Sequence, residues 1–123
     1  NWFVCVLERH HTDSPPDNEL VAVATDGSGA MNLLAAGADF YAAPRVSPDG
    51  RHLVWVQWMH PNMPWDETEL WLDDRKIAGG TSIFQPQWSP DGKKIVFASS
   101  VYPECAARSL SFDDACNQKL LYC

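Results

Sequence analysis

Pro44-Arg45-Val46-Ser47-Pro48-Asp49-Gly50-Arg51-His52-Leu53-Val54-Trp55 decides the fold, because its plan returns 42 residues later as Pro86-Gln87-Trp88-Ser89-Pro90-Asp91-Gly92-Lys93-Lys94-Ile95-Val96-Phe97. In each copy a short Pro-containing strand leads into Ser-Pro-Asp-Gly, and a strongly apolar strand leaves it. The turn explains itself. Pro presets φ for the second position, Asp bonds its own backbone two residues on, and Gly takes the positive φ that closes the turn. A repeat of this length anchored on a β-turn describes a four-stranded unit that buries itself only by stacking on copies of itself. The fold class this implies is all-β, a partial β-propeller of about three incomplete four-stranded antiparallel blades.

A fainter copy lies upstream at an offset of 50, where Val4, Val6, His10, Glu19 and Leu20 answer Val54, Val56, His60, Glu69 and Leu70. The two offsets differ because Asp26-Gly27-Ser28-Gly29 and its surroundings are replaced by the bare turn Asp73-Asp74, and indels collect in surface hairpins. The blade parts are expected at 1–38, 39–80 and 81–123. The strand after each turn is apolar at every position, as in Leu53-Val54-Trp55-Val56, which predicts cover on both sheet faces. An α/β sheet would also cover both faces, but no helical pattern separates these strands.

Just under three units do not close a ring of roughly four to eight blades. The chain of 123 residues is therefore expected to be a piece whose break falls inside a blade, since Trp2 reads at once as a strand residue. Open blade faces rich in Trp, Phe and Val predict self-association of the isolated chain. After Ser100 the repeat fails. Ser111 with Asp114 resembles a capping box, and Phe112, Ala115, Cys116 and Lys119 fall at helical spacing, so 112–121 reads as a short helix or as a long loop ending in a broken third strand.

The net charge of −7 argues against a nucleic-acid surface, which needs clustered Lys and Arg. No apolar run approaches the 18 or so residues of a membrane-spanning helix. Cys5 reads as a small buried hydrophobe, while Cys105 and Cys116 form a local disulfide or stay as thiols. No cysteine pair has C-x-x-C spacing, the four histidines are scattered, and neither a metal site nor a cofactor is expected. Gly27-Ser28-Gly29 is a hairpin turn, lacking the strand-to-helix setting of a nucleophile elbow. No catalytic residues are assigned.

One loop differs from the rest. His60-Pro61-Asn62-Met63-Pro64-Trp65-Asp66-Glu67 carries two prolines and large side chains where a simple connection would have Gly and Ser. It either caps its own blade or meets another domain or a ligand. In an up-and-down blade this loop shares a rim with the entry to the first strand and lies opposite the Ser-Pro-Asp-Gly turns. The candidate substrate- or domain-facing set is therefore Phe40, Tyr41, Arg45, His60, Asn62, Met63, Trp65, Asp66 and Glu67, with Arg45 able to meet a carboxylate.

The stretches Asp39-Phe40-Tyr41-Ala42-Ala43-Pro44-Arg45-Val46-Ser47-Pro48-Asp49-Gly50, His60-Pro61-Asn62-Met63-Pro64-Trp65-Asp66 and Ile83-Phe84-Gln85-Pro86-Gln87-Trp88-Ser89-Pro90-Asp91-Gly92 resemble the N-terminal propeller of prolyl-oligopeptidase-family serine peptidases, nearest the acylaminoacyl-peptidase and dipeptidyl-aminopeptidase branch. The turn alone is shared with TolB-like propellers, whereas its combination with the His-Pro-Asn-Met-Pro-Trp-Asp loop is more specific. The resemblance implies a propeller that covers an α/β-hydrolase domain with a Ser, Asp and His triad and restricts entry to short peptides. On that reading this chain is a non-catalytic part of the gating propeller. The alternative is a TolB-like or WD-repeat-like propeller piece serving as a protein-binding scaffold. Val101-Tyr102-Pro103-Glu104-Cys105 with Asp114-Ala115-Cys116-Asn117 resembles an often exported branch of the family, so cytoplasmic location, slightly favoured, stands beside periplasmic or secreted ones.

Overall fold

The computed structural model describes residues 1–101 and 104–112, with side chains for 1–100 and 108–112. Their elements are all strands: β1 (Trp2–Arg9), β2 (Asp17–Ala24), β3 (Met31–Ala35), β4 (Phe40–Val46), β5 (Leu53–Trp58), β6 (Thr68–Leu72), β7 (Arg75–Trp88), β8 (Lys94–Val101) and β9 (Glu104–Ser111). Strands β1 to β3 form one antiparallel sheet, and β4 to β9 follow one another in sequence order. The long β7 serves two neighbours. Its first half, from Arg75 to Thr81, pairs with β6, and its second half, from Ser82 to Trp88, pairs with β8. The architecture is that of a partial β-propeller. The expected helix over 112–121 and the Cys105–Cys116 disulfide lie outside what is described, apart from Phe112 and the backbone at Cys105.

The repeat read from the sequence is a repeat of hydrogen-bond register. Phe40↔Trp58, Tyr41↔Gln57, Ala42↔Val56, Arg45↔Val54 and Val46↔Leu53 recur 42 residues later as Ser82↔Ser100, Ile83↔Ser99, Phe84↔Ala98, Gln87↔Val96 and Trp88↔Ile95. Both copies carry a bulge in the same place. Ala43 and Gln85, each just before the proline of its strand, hold positive φ values of 50° and 53°. The proline cannot donate to the ladder, so a bulge is where a strand can hold it. The offset of 50 holds equally, since Val4↔Ala22, Cys5↔Val21, Val6↔Leu20 and Leu7↔Glu19 answer Val54↔Leu72, Trp55↔Trp71, Val56↔Leu70 and Gln57↔Glu69.

The two Ser-Pro-Asp-Gly turns are built alike, bond for bond. The Ser47 hydroxyl donates to Asp49 at 2.6 Å and accepts from His52 N–H at 2.9 Å; Ser89 does the same with Asp91 at 2.6 Å and Lys94 N–H at 2.9 Å. Each Asp also accepts from the N–H two residues on, Arg51 at 3.2 Å and Lys93 at 3.0 Å. The Ser hydroxyl first, and then that N–H, hold both carboxyls below the ordinary Asp range. Gly50 and Gly92 take φ of 76° and 70°, the left-handed position the sequence assigns them.

Two apolar cores sit between sheets. One packs Val54, Val56, Leu70 and Leu72 against Ile83, Ile95, Phe97 and Leu110; the other packs Leu20 and Ala38 against Tyr41 and Trp55. Strand β5 is therefore covered on both faces, as its sequence requires. The expectation of double cover does not extend to β1 and β8. Val96, the register equivalent of the fully buried Val54, is 41% exposed, and Phe3 is 63% exposed. The physical reason is positional: β5 lies in the middle sheet, whereas β1 and β8 lie in the outer ones and, among the described residues, each packs on one side only.

Candidate functional site

The loop from Met59 to Glu67 leaves β5 at Trp58 and returns as β6 at Thr68. It is two successive tight turns rather than a floppy arch. Asn62 N–H donates to the Met59 carbonyl at 3.0 Å and Asp66 N–H to the Met63 carbonyl at 2.9 Å. The Asp66 carboxylate accepts from Met63 N–H at 2.9 Å and locks the second turn from outside. Two bonds pin the loop to its surroundings. His60 N–H donates to Asp39 Oδ2 at 2.7 Å, and Ser82 Oγ donates to the Pro64 carbonyl at 2.7 Å. The second bond crosses from the middle sheet to the next one.

Strand direction sets which side chains gather at this end. Strand β4 begins at Phe40 and runs toward the Ser47 turn, β5 returns from it, and so Phe40 and Trp58 are paired neighbours at the loop end. Their rings stack with centroids 5.2 Å apart, and His60 meets Phe40 edge-on at 4.9 Å. Aromatic pairs in this geometry add roughly 0.5–1.5 kcal/mol beyond their buried area. Beside them Pro64, Trp65, Ile83 and Phe84 wall a cavity of about 390 Å³ whose polar lining is hydroxyls and one amide, with no ionisable side chain. Trp65 is 68% exposed and Met63 also faces solvent. The arrangement offers a neutral, aromatic surface that can hold an apolar group.

The site residues named from sequence divide into three groups. Phe40, His60, Met63, Trp65, Asp66 and Glu67 share the loop rim, with Asn62 half-buried in the first turn. Tyr41 turns inward. It is 6% exposed, its hydroxyl accepts from Ala38 N–H at 3.0 Å, and it belongs to the core between the first and second sheets. Arg45 stays exposed on β4 but toward the Ser47 turn, about 15 Å of strand from Phe40. Its guanidinium donates to the Pro44 carbonyl at 2.9 Å, and its own carbonyl accepts from Trp88 Nε1 at 3.0 Å.

Sequence reading missed Asp39, Ser82 and Trp58, which anchor and floor the site. Asp39 and Ser82 lie 21 and 18 residues from their partners, so no local pattern announces them. It also missed a polar hub on the opposite face of β5 and β6. Glu69 accepts from Trp71 Nε1 at 2.8 Å and from Lys76 Nζ at 3.0 Å, while Gln57, held near it, takes the Trp55 indole N–H at 2.9 Å. Burial pushes the Glu69 carboxyl up, but the donors from Trp71, Lys76 and Gln57 outweigh it and hold the group below its ordinary value. Here two stacked tryptophans, with ring centroids 6.1 Å apart, carry their N–H groups into a satisfied network.

A register-exact repeat, bulged first strands and a rim loop at the end opposite the turns define a propeller segment. No protein-family model matches the sequence, and no curated protein matches it. Solved structures do. A puromycin hydrolase aligns with 80% of the chain at 35% identity and a TM-score of 0.71, and a mutant puromycin hydrolase complexed with PGG aligns equally at a TM-score of 0.72. A Mycobacterium tuberculosis puromycin-hydrolyzing peptidase aligns with 90% of the chain at 31% identity and a TM-score of 0.74. The chain spans 18–20% of the length of these proteins. These neighbours are prolyl-oligopeptidase-family enzymes, and the chain is similar to the N-terminal propeller portion of them.

Proposed function

We propose that this chain is a non-catalytic part of the substrate-gating propeller of a serine exo- or oligopeptidase that acts on short peptides, nearest the acylaminoacyl-peptidase and dipeptidyl-aminopeptidase branch. Residues 1–38, 39–80 and 81–123 are successive blade parts. The observation that carries the reading is the rim formed by Phe40, His60, Trp65 and Phe84, pinned by Asp39 and Ser82. A loop that served only to join two strands would not need Trp and Met in solvent or anchors on the connection before β4 and on β7. Likeness to puromycin-hydrolyzing peptidases supplies the reaction class.

In this reading the rim faces an α/β-hydrolase domain of the same protein, and peptides pass between them to a Ser, Asp and His triad in that domain. The chain's own residues do four things. Trp65, Met63 and Phe40 offer apolar contact to a passing side chain, Asp66 keeps the loop in its double turn, and Arg45 on the inner strand is available to a carboxylate. Tyr41 holds the first strand against the preceding sheet.

The test uses the longer protein with its hydrolase domain, assayed on short peptides and on puromycin. Trp65→Ala and Asp66→Ala are expected to change kcat/KM by about tenfold, and Asp49→Ala and Asp91→Ala by less than about twofold at equal folded fraction. Equal effects from the two rims would refute the assignment of the working surface. A reading frame that continues without a serine-nucleophile hydrolase domain would refute the peptidase reading itself.

A further inference from the structure

The dipeptide Asp-Gly occurs three times, as Asp26-Gly27, Asp49-Gly50 and Asp91-Gly92. It is the pair in which a main-chain nitrogen reaches the preceding side-chain carboxyl most freely, because glycine brings no Cβ to crowd the approach. All three Asp side chains are exposed, so access to water does not separate the copies. Nor does acidity. The Ser28 hydroxyl and then the Ser28 N–H hold the Asp26 carboxyl below the ordinary Asp range, as Ser47 with Arg51 and Ser89 with Lys93 do for the other two.

The bonding of the glycine nitrogen does separate them. Gly50 N–H donates to the Ser47 carbonyl and Gly92 N–H to the Ser89 carbonyl, both at 2.9 Å. In the same turns the carboxyl is tied at 2.6 Å to a Ser hydroxyl that is itself anchored by the N–H of His52 or Lys94. Gly27 N–H has no hydrogen bond among the described residues. Its hairpin is closed outside it, where Ala24 N–H donates to the Ala30 carbonyl at 2.9 Å. The Asp26 carboxyl is held by Ser28 alone, a partner in the same connection that moves with it.

We propose that Asp26-Gly27 is a site of spontaneous covalent modification, the isomerisation of Asp26 to isoaspartate, and that the bonds of the two Ser-Pro-Asp-Gly turns protect Asp49 and Asp91 from the same reaction. The Gly27 nitrogen gives up its proton and attacks Cγ of the Asp26 carboxyl in its acid form. The new C–N bond closes a succinimide ring as the C–OH bond breaks, and the hydroxyl leaves with a proton as water. A water molecule then opens the ring at either carbonyl. Opening at Cγ restores Asp26, whereas opening at the main-chain carbonyl leaves the chain running through Cβ and Cγ. One water is lost and one regained, with no oxidant or cofactor. The product adds a main-chain carbon at the tip of a surface hairpin, in the segment whose length already differs between the first and second units, so the sheets keep their pairing. The inference holds whether or not the peptidase reading does.

The experiment holds the folded chain for several weeks at neutral pH in heavy-oxygen water and maps its peptides by mass spectrometry, since every ring opening fixes one heavy oxygen. Fragmentation that distinguishes isoaspartate from aspartate locates the product. Label at Asp26 is expected to exceed that at Asp49 and Asp91 by about tenfold or more, because ring closure at those two must first break turn bonds. In guanidinium the three are expected to agree within about twofold, since each Asp then precedes a glycine in an open chain. Ser47→Ala is expected to raise label at Asp49 by about threefold and to leave Asp26 unchanged. Absence of label at Asp26, equal label at all three in the folded chain, or a lead by Asp49 or Asp91 would overturn the proposal. So would a difference that survives in guanidinium, or an Asp49 that does not respond to Ser47→Ala.

Discussion

Val54 and Val96 occupy the same place in the register of successive units, each opposite the residue after the bulge, yet one is fully buried and the other is 41% exposed. Truncating both to alanine therefore isolates the contribution of the covering sheet. At Val54 the lost transfer energy of the removed methyls is about 1.5 kcal/mol at roughly 0.8 kcal/mol per buried carbon. The site is walled by Leu70, Leu72, Ile83 and Ile95 and cannot collapse fully, so the residual cavity raises the cost to about 2.5 kcal/mol. At Val96 nearly half the side chain already meets water and no facing sheet loses contacts, which leaves less than about 1 kcal/mol. The strand-propensity penalty of Val→Ala is common to both sites and cancels in the difference.

The assay is urea unfolding followed by tryptophan fluorescence, with six indoles as reporters, read as the shift in midpoint at constant slope. Val54→Ala should lower the midpoint strongly and Val96→Ala slightly. Equal shifts would mean that the face of β8 is covered in solution or that the second and third sheets do not pack as described. If the same pair is compared in a protein whose next blade is in place, the two costs should converge, because Val96 then sits where Val54 does.

Thr68 is buried, donating to the Ile83 carbonyl at 2.8 Å and accepting from Ile83 N–H at 2.7 Å; Thr68→Val leaves both groups unpaired and should cost about 3 kcal/mol in the same urea experiment. Asp49 and Asp91 have folded pKa values below the unfolded one, so their contribution is complete above about pH 4 and disappears as pH falls through the folded values. A double Asp49→Asn, Asp91→Asn variant should accordingly lose less stability than the parent chain between about pH 5 and pH 2, measured by thermal unfolding; parallel curves would count against the turn bonds. Phe3, Met31 and Leu33 stand on one open sheet face, and sedimentation should show association that Phe3→Lys with Leu33→Lys reduces; an unchanged distribution would place the contact elsewhere.

How much was legible in the sequence follows from the range of the forces involved. The turn Ser47-Pro48-Asp49-Gly50 is settled by bonds spanning two to five residues, and both copies came out as their chemistry required. Register was readable because the repeat is itself a record of it: two strands that keep one spacing in two units pair the same way in both, as β4–β5 and β7–β8 do. The bulge at Ala43 and Gln85 was written in the prolines that follow, although the positive φ of two non-glycine residues was not. Cover could not be read from strand composition. Leu53-Val54-Trp55-Val56 and Lys94-Ile95-Val96-Phe97 are similarly apolar, but which faces are buried depends on what stands next to each sheet.

The rim shows the same limit at closer quarters. Composition singled out the loop, and strand direction placed it with Phe40 and away from the turns. Tyr41 and Arg45 were grouped with it because alternation along β4 was not resolved into faces. Tyr41 points at the sheet before it, where Leu20 and Trp55 form its surroundings, and Arg45 lies toward the other rim because β4 runs from Phe40 to the Ser47 turn. The loop's shape is set by Asp39 and Ser82, one on the connection before β4 and one on β7, each reaching a backbone group of the loop across the fold. Asp39→Ala and Ser82→Ala should thus loosen Met59 to Glu67 in hydrogen exchange while leaving the bonds of both turns intact; loss of protection at Ser47 to His52 alongside the loop would show that the two rims are coupled rather than built independently.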